Sequence, residues 1–425
     1  MFFLKNIINL TSLKSSFLYL FSNIFNGILP LLLLPVFTSY LTPTEYGIVA
    51  IFQLTTAGLN SLVGMSFVIA ADRKFFDDDL NFSNYVSSCM QLILLSCILV
   101  CFIFYLNVDT IGYHLGLEPN FVLLAILVSF SSVLIQLRLG QWQVRQMPKY
   151  YLFFQVAFSI ATNLIAVYLV VGVVLGADGR LFSLIIGNFL FGLLACYSLY
   201  RGGILKLFIF DFSCWKEISK FSFPLLPHLI GVFLLTVFDR YIIKLNLGLD
   251  VVGVYMVGFQ LMSCIGLFAD AVNKVVAPLQ IRSYKDNNDA KNKKIIRLIY
   301  LWFILLLFVA LLASMTGFYF IDIFLGFEYQ KAKEILFFLA LGHVFNGVYL
   351  VILNNIYYAK KTKYLSLSTI VVSFFHLTLF YIFTLNYGMF GASISFAISM
   401  LFRLVLTFFF AQRAHNMPWL LMTTK

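Results

Sequence analysis

Twelve apolar stretches, each long enough to cross a lipid bilayer as a helix, leave this chain little freedom in how it folds. They run over residues 16–41, 48–70, 85–105, 121–140, 152–175, 181–200, 223–246, 252–278, 298–321, 335–358, 365–385 and 391–412. A spanning helix needs about 20 mostly apolar residues. Inside hydrocarbon each backbone amide must find its partner within the chain, so stretches of this length predict helices. Composition agrees, with 61% hydrophobic and only 11% charged residues over 425, against about 25% charged in soluble domains. The chain reads as an all-α integral membrane protein. Its first stretch follows Lys5 and Lys14, as the apolar core of a signal peptide would. At Ser16–Leu41 it is too long for one and contains Pro30 and Pro35, so it is read as the first crossing.

The net charge of +11 would suit nucleic acid only if the basic residues formed one patch. They sit instead in short clusters between crossings, which excludes a nucleic-acid partner and reports topology. With both termini on the cytoplasmic side, the inner connections hold 22 of the 29 basic residues and the outer ones only Arg180, Lys331 and Lys333. Four remain within crossings: Arg240, Lys244, Lys274 and Arg403. The positive-inside rule then places both termini in the cytoplasm. Cysteines at 89, 97, 101, 196, 214 and 264 form no CxxC and no His–Cys spacing suited to a metal, so they read as packing residues. No cofactor and no metal are expected, and the absence of a Walker motif argues against ATP as direct energy source.

Six crossings fall on either side of a central connection. This gives three parts: an N-terminal six-helix half over 1–200, a cytoplasmic linker over 201–222 and a C-terminal six-helix half over 223–425. The linker opens on Gly202 and Gly203 and continues LKLFIFDFSCWKEISK, which reads as an amphipathic segment lying at the membrane surface. The halves look related. LTPTEYGIVAIFQL (Leu41–Leu54) resembles LGLDVVGVYMVGFQL (Leu247–Leu261), each at the first-to-second turn of its half. Copies separated by six crossings share an orientation, so a pseudo-two-fold along the membrane normal is expected to relate them.

LTPTEYG (Leu41–Gly47), FPLLPHLIG, FDRYIIK and VGVY within Lys220–Leu261, LGFEYQKAKEIL (Leu325–Leu336) and NNIYYAKKTKYLSLST (Asn354–Thr369) together resemble the polysaccharide-transporter branch of the MOP exporter superfamily, specifically the O-antigen repeat-unit (Wzx-type) flippases. The resemblance spreads over nearly the whole chain. It implies a MATE-like fold with a V-shaped central cavity, in the bacterial inner membrane. It also implies that the chain moves a polyprenyl-diphosphate-linked oligosaccharide from the cytoplasmic to the periplasmic leaflet, working among membrane lipids. The polymerase and chain-length regulator of the same pathway are the protein partners it suggests.

Such a substrate poses a physical problem. Its lipid tail can stay in the bilayer, but sugars and a diphosphate lose hydration there at several kcal/mol per unpaired group. Basic side chains within crossings are therefore candidate phosphate contacts, and amides and hydroxyls candidate sugar contacts. Arg240, beside Asp239 inside the seventh crossing, leads the list, because an intramembrane charge is a functional hypothesis by default. The bland alternative is that Arg240 and Lys244 reach the outer interface. Asp270 and Lys274 share a face at i, i+4; Asp270 could bind substrate or couple an ion, and Lys274 could equally reach headgroups. His376, near the middle of the eleventh crossing, is the second ion-coupling candidate; like His343 within the tenth it is a lone helical histidine, which is more often a hydrogen-bonded packing residue. Arg73 and Arg138, at cytoplasmic ends of crossings, could form a ring at the cytoplasmic mouth, although topology already explains them. Arg403 could face either a cavity or headgroups. Asn23 and Asn26, on one face of the first crossing, could meet sugar hydroxyls or tie helices together. Pro30, Pro35, Pro224 and Pro227 free carbonyls and allow helices to bend.

Two other readings remain open. A cation-coupled exporter of small molecules would have the same helix count, but four basic against two acidic residues within crossings favours an anionic substrate. A membrane-embedded polymerase would be expected to carry catalytic groups on a sizeable outer loop, and the outer loops are short. No enzyme activity is expected.

Overall fold

The computed structural model describes residues 10–77, 81–206, 210–285, 289–361 and 363–419. The termini that the charge distribution assigns to the cytoplasm, 1–9 and 420–425, lie outside these. The described chain is helical throughout. In order the helices are α1 (Leu10–Leu32), α2 (Leu34–Tyr40), α3 (Pro43–Gly64), α4 (Phe67–Lys74), α5 (Phe82–Tyr105), α6 (Val108–Leu115), α7 (Pro119–Val144) and α8 (Pro148–Val167). There follow α9 (Gly176–Arg201), α10 (Phe212–Ser222), α11 (Leu226–Thr236), α12 (Asp239–Leu247), α13 (Leu249–Lys285), α14 (Asp289–Phe324), α15 (Leu336–Tyr358) and α16 (Lys363–Ala414). The chain is a multi-pass membrane protein.

Eleven helical segments among the described residues are long and apolar enough to cross a membrane. The last, α16, has 52 residues and would be about 78 Å long if straight. It is not straight. Gly388 has φ 60° and ψ −143°. The rings of Phe375 and Phe402 stand 4.3 Å apart, and those of Tyr364 and Phe410 5.2 Å apart. Its two arms therefore run antiparallel, and they are the eleventh and twelfth stretches expected from sequence.

Boundaries differ from expectation where helices outrun the bilayer. The connection expected over 279–297 is largely helix, because α13 continues to Lys285 and α14 starts at Asp289. The seventh crossing, expected as one run over 223–246, is instead broken between Thr236 and Asp239. The first crossing is also broken, at Leu33, where Pro35 in the first turn of α2 removes a backbone donor. Pro224 and Pro227 sit at the start of their crossing, in a 3-10 turn and the first turn of α11, so the second break has no proline in it.

Two compact units divide the chain. One comprises Met1–Pro30 with Ile48–Phe233, the other Leu31–Gly47 with Leu234–Lys425. In the first, hydroxyls tie neighbouring helices: Ser96 donates to the Val63 carbonyl at 2.6 Å, Ser129 to that of Thr56 at 2.9 Å, and Ser22 to Gln155 Oε1 at 2.8 Å. Such bonds matter because lipid tails give helices no hydrophobic reason to associate. In the second, Tyr329 donates to the Leu41 carbonyl and Tyr46 to Gln260 Oε1, both at 2.7 Å.

The repeated turns meet inside the second unit. At the first, Thr42 and Glu45 form a reciprocal capping box: the Thr42 amide donates to Glu45 Oε2 at 2.8 Å and the Glu45 amide to Thr42 Oγ1 at 3.3 Å. Pro43 then starts α3, where its missing N–H is harmless. A Cβ on Gly47 would lie 2.0 Å from the Leu249 carbonyl oxygen, and one on Gly253 would lie 1.9 Å from that of Pro43. In the aligned repeats Gly47 corresponds to Gly253, and Pro43 to Leu249. Each glycine thus seats against the other turn's first helical carbonyl, a reciprocal contact of local two-fold form.

Candidate functional site

The break in the seventh crossing puts Asp239 and Arg240 in the first turn of α12, where an acidic residue favours the helix dipole. Asp239 Oδ1 accepts the Arg240 backbone N–H at 2.8 Å and an Arg240 guanidinium N–H at 3.2 Å. The Tyr255 hydroxyl donates to Asp239 Oδ2 at 3.3 Å. On the other side, Arg240 Nε donates to Met256 Sδ at 2.9 Å, and the guanidinium lies 5.0 Å from the Phe259 ring centre. Asp239 is 2% and Arg240 8% exposed. This arginine does not reach the outer interface; it is folded into the second unit between a carboxylate and an aromatic face.

Further members of the second unit lie around it. Phe259 packs on the His343 ring at 5.2 Å, and Tyr255 on Phe380, which in turn packs on His376. His376 is fully buried with neither ring nitrogen hydrogen-bonded. Asp270 and Lys274 pair at 2.7 Å with 47% and 46% of their side chains exposed, so they form the expected i, i+4 pair apart from the Asp239 cluster. Arg403 is held by Asn346 at 3.0 Å and stacks 3.9 Å from the Tyr349 ring centre.

In the first unit Asn23 accepts from Tyr151 at 3.4 Å and Gln155 at 3.5 Å, joining α1 to α8 alongside Ser22. Asn26, on the same face, is half-buried. Arg138 is buried, donating through Nε to Ser198 at 3.0 Å and lying 4.1 Å from the Trp142 ring centre. Arg73 stands elsewhere. It is exposed, lies 5.0 Å from the Phe221 ring centre, and lines a cavity of about 290 Å³ between α4, α5 and α10. Arg138 does not line that cavity; Lys74 and Lys220 do, with Glu217 and Asp77. Lys74 pairs with Glu217 at 3.0 Å. The sequence signal for this grouping was the amphipathic linker, with Glu217 and Lys220 three residues apart on one face.

Part of the segment read as a linker over 201–222 is the helix α10, Phe212–Ser222, while residues 207–209 lie outside the described residues. Asp211 caps α10, accepting the amides of Ser213 at 3.0 Å and Cys214 at 3.3 Å, and the Ser213 hydroxyl, which also donates to it, together with the Cys214 amide holds its carboxyl below the usual carboxylate range. Cys214, Ile218 and Ser222, one turn apart, form its buried face. A half-buried acid belongs to the same unit. Asp72, in α4 beyond the second crossing, accepts from Gln141 at 3.0 Å. Burial pushes its carboxyl up to about 7, against that hydrogen bond. Among the described residues no group of three His, Cys, Asp or Glu side chains could hold a metal ion.

Comparison with known proteins fits this architecture. Residues 12–283 match the family described as polysaccharide biosynthesis protein, and the chain belongs to that family. A Shigella flexneri protein named "Putative O-antigen transporter" is 25% identical over 206 residues, covering 48% of this chain and 45% of that protein's length. A Haemophilus influenzae protein named only as an uncharacterized membrane protein is 24% identical over 377 residues, 86% of this chain and 88% of its own. Among solved structures, the inward closed conformation of the lipid II flippase MurJ superposes with a TM-score of 0.71 at 16% identity, over 95% of this chain and 86% of that one. An inward-facing multidrug resistance MATE family transporter of the MOP superfamily gives 0.69 at 16% identity, over 92% and 93%. The fold is the all-α membrane fold of these transporters.

Proposed function

We propose that this protein is a flippase that carries a polyprenyl-diphosphate-linked oligosaccharide repeat unit from the cytoplasmic to the periplasmic leaflet by alternating access. The observation that carries the reading is membership of a polysaccharide biosynthesis family by a chain built of membrane-crossing helices. The likeness in fold to a lipid flippase and the relative named as an O-antigen transporter point the same way. In this reading the protein resides in the bacterial inner membrane with both termini in the cytoplasm. It hands its product to a polymerase and chain-length regulator outside.

Arg240 is the proposed diphosphate contact. Its guanidinium matches phosphate geometry through a fork of donors, and Asp239 holds it inside the protein until an anion competes. Arg73, Arg138, Asp270 and Lys274 are proposed to guide or couple the substrate, Asn23 and Asn26 to contact sugar, and His376 to take part in coupling. The driving force has a physical source. A diphosphate carries about two negative charges, and moving them out of a negative interior through 100 mV gains about 4.6 kcal/mol, at about 2.3 per charge.

Deleting the gene and analysing the lipid-linked sugars tests the proposal. A flippase deletion leaves single repeat units on the cytoplasmic leaflet, shielded from impermeant probes. Single units displayed at the surface would identify a polymerase defect instead. The MATE likeness gives a cation-coupled small-molecule exporter as the second reading; unchanged lipid-linked sugars with lost dye efflux would establish it.

A further inference from the structure

The cavity between α4, α5 and α10 is lined by three basic side chains, Arg73, Lys74 and Lys220, and two acidic ones, Asp77 and Glu217. Lys74 and Glu217 neutralise one another at 3.0 Å. That leaves Arg73 and Lys220, both exposed and neither ion-paired with a carboxylate among the described residues, facing Asp77. Among the described residues the lining carries one more basic than acidic side chain, a single net positive charge. The cavity also has aromatic walls. The Arg73 guanidinium lies 5.0 Å from the Phe221 ring centre and the Lys74 ammonium 5.1 Å from that of Tyr85, which fixes where both cations stand.

The helix that closes this cavity is built for a lipid boundary. Phe210, Phe212 and Phe223, at or beside the ends of α10, are 70%, 79% and 54% exposed, while Lys216, Glu217 and Lys220 are its charged residues. A short helix with exposed aromatics and lysines lies in the interface plane, and basic pockets at that depth take anionic headgroups. About 290 Å³ is at the small end of ligand pockets, which run from about 300 to 1,000 Å³. One headgroup fits there and an oligosaccharide does not. A single net positive charge suits the single negative charge of a phosphodiester better than a diphosphate.

We propose that this cavity is a seat for the phosphodiester of one anionic phospholipid, held by Arg73 and Lys220, with the acyl chains running past the phenylalanines of α10 into the bilayer. The seat goes beyond the flippase reading and stands without it; at Arg73 it replaces the substrate-guiding role given above with a bound lipid. It makes the linker helix, which continues through a 3-10 turn into α11, responsive to membrane composition.

Native mass spectrometry of the full-length protein in non-ionic detergent, with phosphatidylglycerol or phosphatidylcholine added, tests this. The wild type should retain one more phosphatidylglycerol than an Arg73→Gln/Lys220→Gln variant, whose affinity falls about tenfold or more. Phosphatidylcholine should not distinguish the two proteins. An Arg73→Lys/Lys220→Arg variant keeps the charges and should keep the lipid, which separates loss of the seat from loss of fold. Equal phosphatidylglycerol retention by wild type and the glutamine variant overturns the proposal. So does equal retention of phosphatidylcholine by the wild type, or displacement of the lipid by millimolar inorganic phosphate, which would make the cavity a free-anion site.

Discussion

Removing one member of the Asp239–Arg240 pair leaves the other buried without its counter-charge, and breaking such a pair costs about 3–5 kcal/mol. Arg240→Ala is therefore expected to lower the thermal midpoint of the detergent-solubilised protein as well as surface polysaccharide. Replacing both groups by neutral amides, Asp239→Asn with Arg240→Gln, should restore most of the stability. If Arg240 meets the diphosphate, transport stays lost in that double variant; recovery of surface polysaccharide would show that the pair serves the fold alone. Asp72 gives a second prediction with a definite sign. Its carboxyl ionises near 3.8 in the unfolded chain and near 7 in the folded one. Below about pH 4 it is protonated in both states and costs nothing. As pH rises from about 4 to 7 the unfolded state ionises first, so the folded state loses stability, and above about 7 the penalty is constant. At about 1.4 kcal/mol per unit the ceiling is about 4 kcal/mol, reduced by the solvent that reaches a partly exposed carboxyl. Asp72→Asn removes the penalty, so its midpoint should match the wild type near pH 4 and exceed it near pH 8. A gap that does not change with pH would refute this.

At the scale of elements, the contact between α3 and α13 tolerates no side chain at its centre. With a methyl group about 2 Å from a backbone oxygen in either direction, Gly47→Ala and Gly253→Ala must each push the helices apart. Each is expected to destabilise by several kcal/mol, at the upper end of single substitutions, and to reduce the folded yield in membranes. Gly388 is a different case. Nothing lies within 4 Å of a Cβ built there, and the penalty of Gly388→Ala comes only from its backbone, φ 60° with ψ −143°, a region nearly reserved for glycine, on the order of 1–3 kcal/mol. Yields in the order Gly388→Ala above Gly47→Ala check both assignments. The repeat between these two turns was readable from the sequence. That its two glycines seat reciprocally was not, because the words that align, LTPTEYG and LGLDVVG, show similarity along the chain and nothing about approach across it.

Taken as a whole molecule, the crossings were legible because the bilayer imposes one length and one polarity on every helix. The twelve stretches all appear, the last two as arms of one helix folded at Gly388. What the pattern could not supply is side-chain grouping. Arg73 and Lys220 share a cavity while Arg138, equally basic and also near the end of a crossing, turns to Ser198 and Trp142. Hydropathy also could not show the break before Asp239, since Thr236, Val237 and Phe238 continue an apolar run. Orientation is open to direct measurement. In a chain with its native cysteines replaced, Asn386→Cys beside the α16 fold should react with an impermeant maleimide in intact cells, and Lys361→Cys only after lysis. The reverse pattern would invert the topology.

The seating of Gly47 on Leu249 and of Gly253 on Pro43 has one more consequence. A contact in which each partner offers the other the same surface is isologous, the kind that two identical chains make about a dyad. Two copies of the Leu41–Leu54 turn would present the same glycine and the same carbonyl to one another, with no clash introduced by their being separate molecules. The contact between the two turns is thus one that two copies of either turn could form about a dyad.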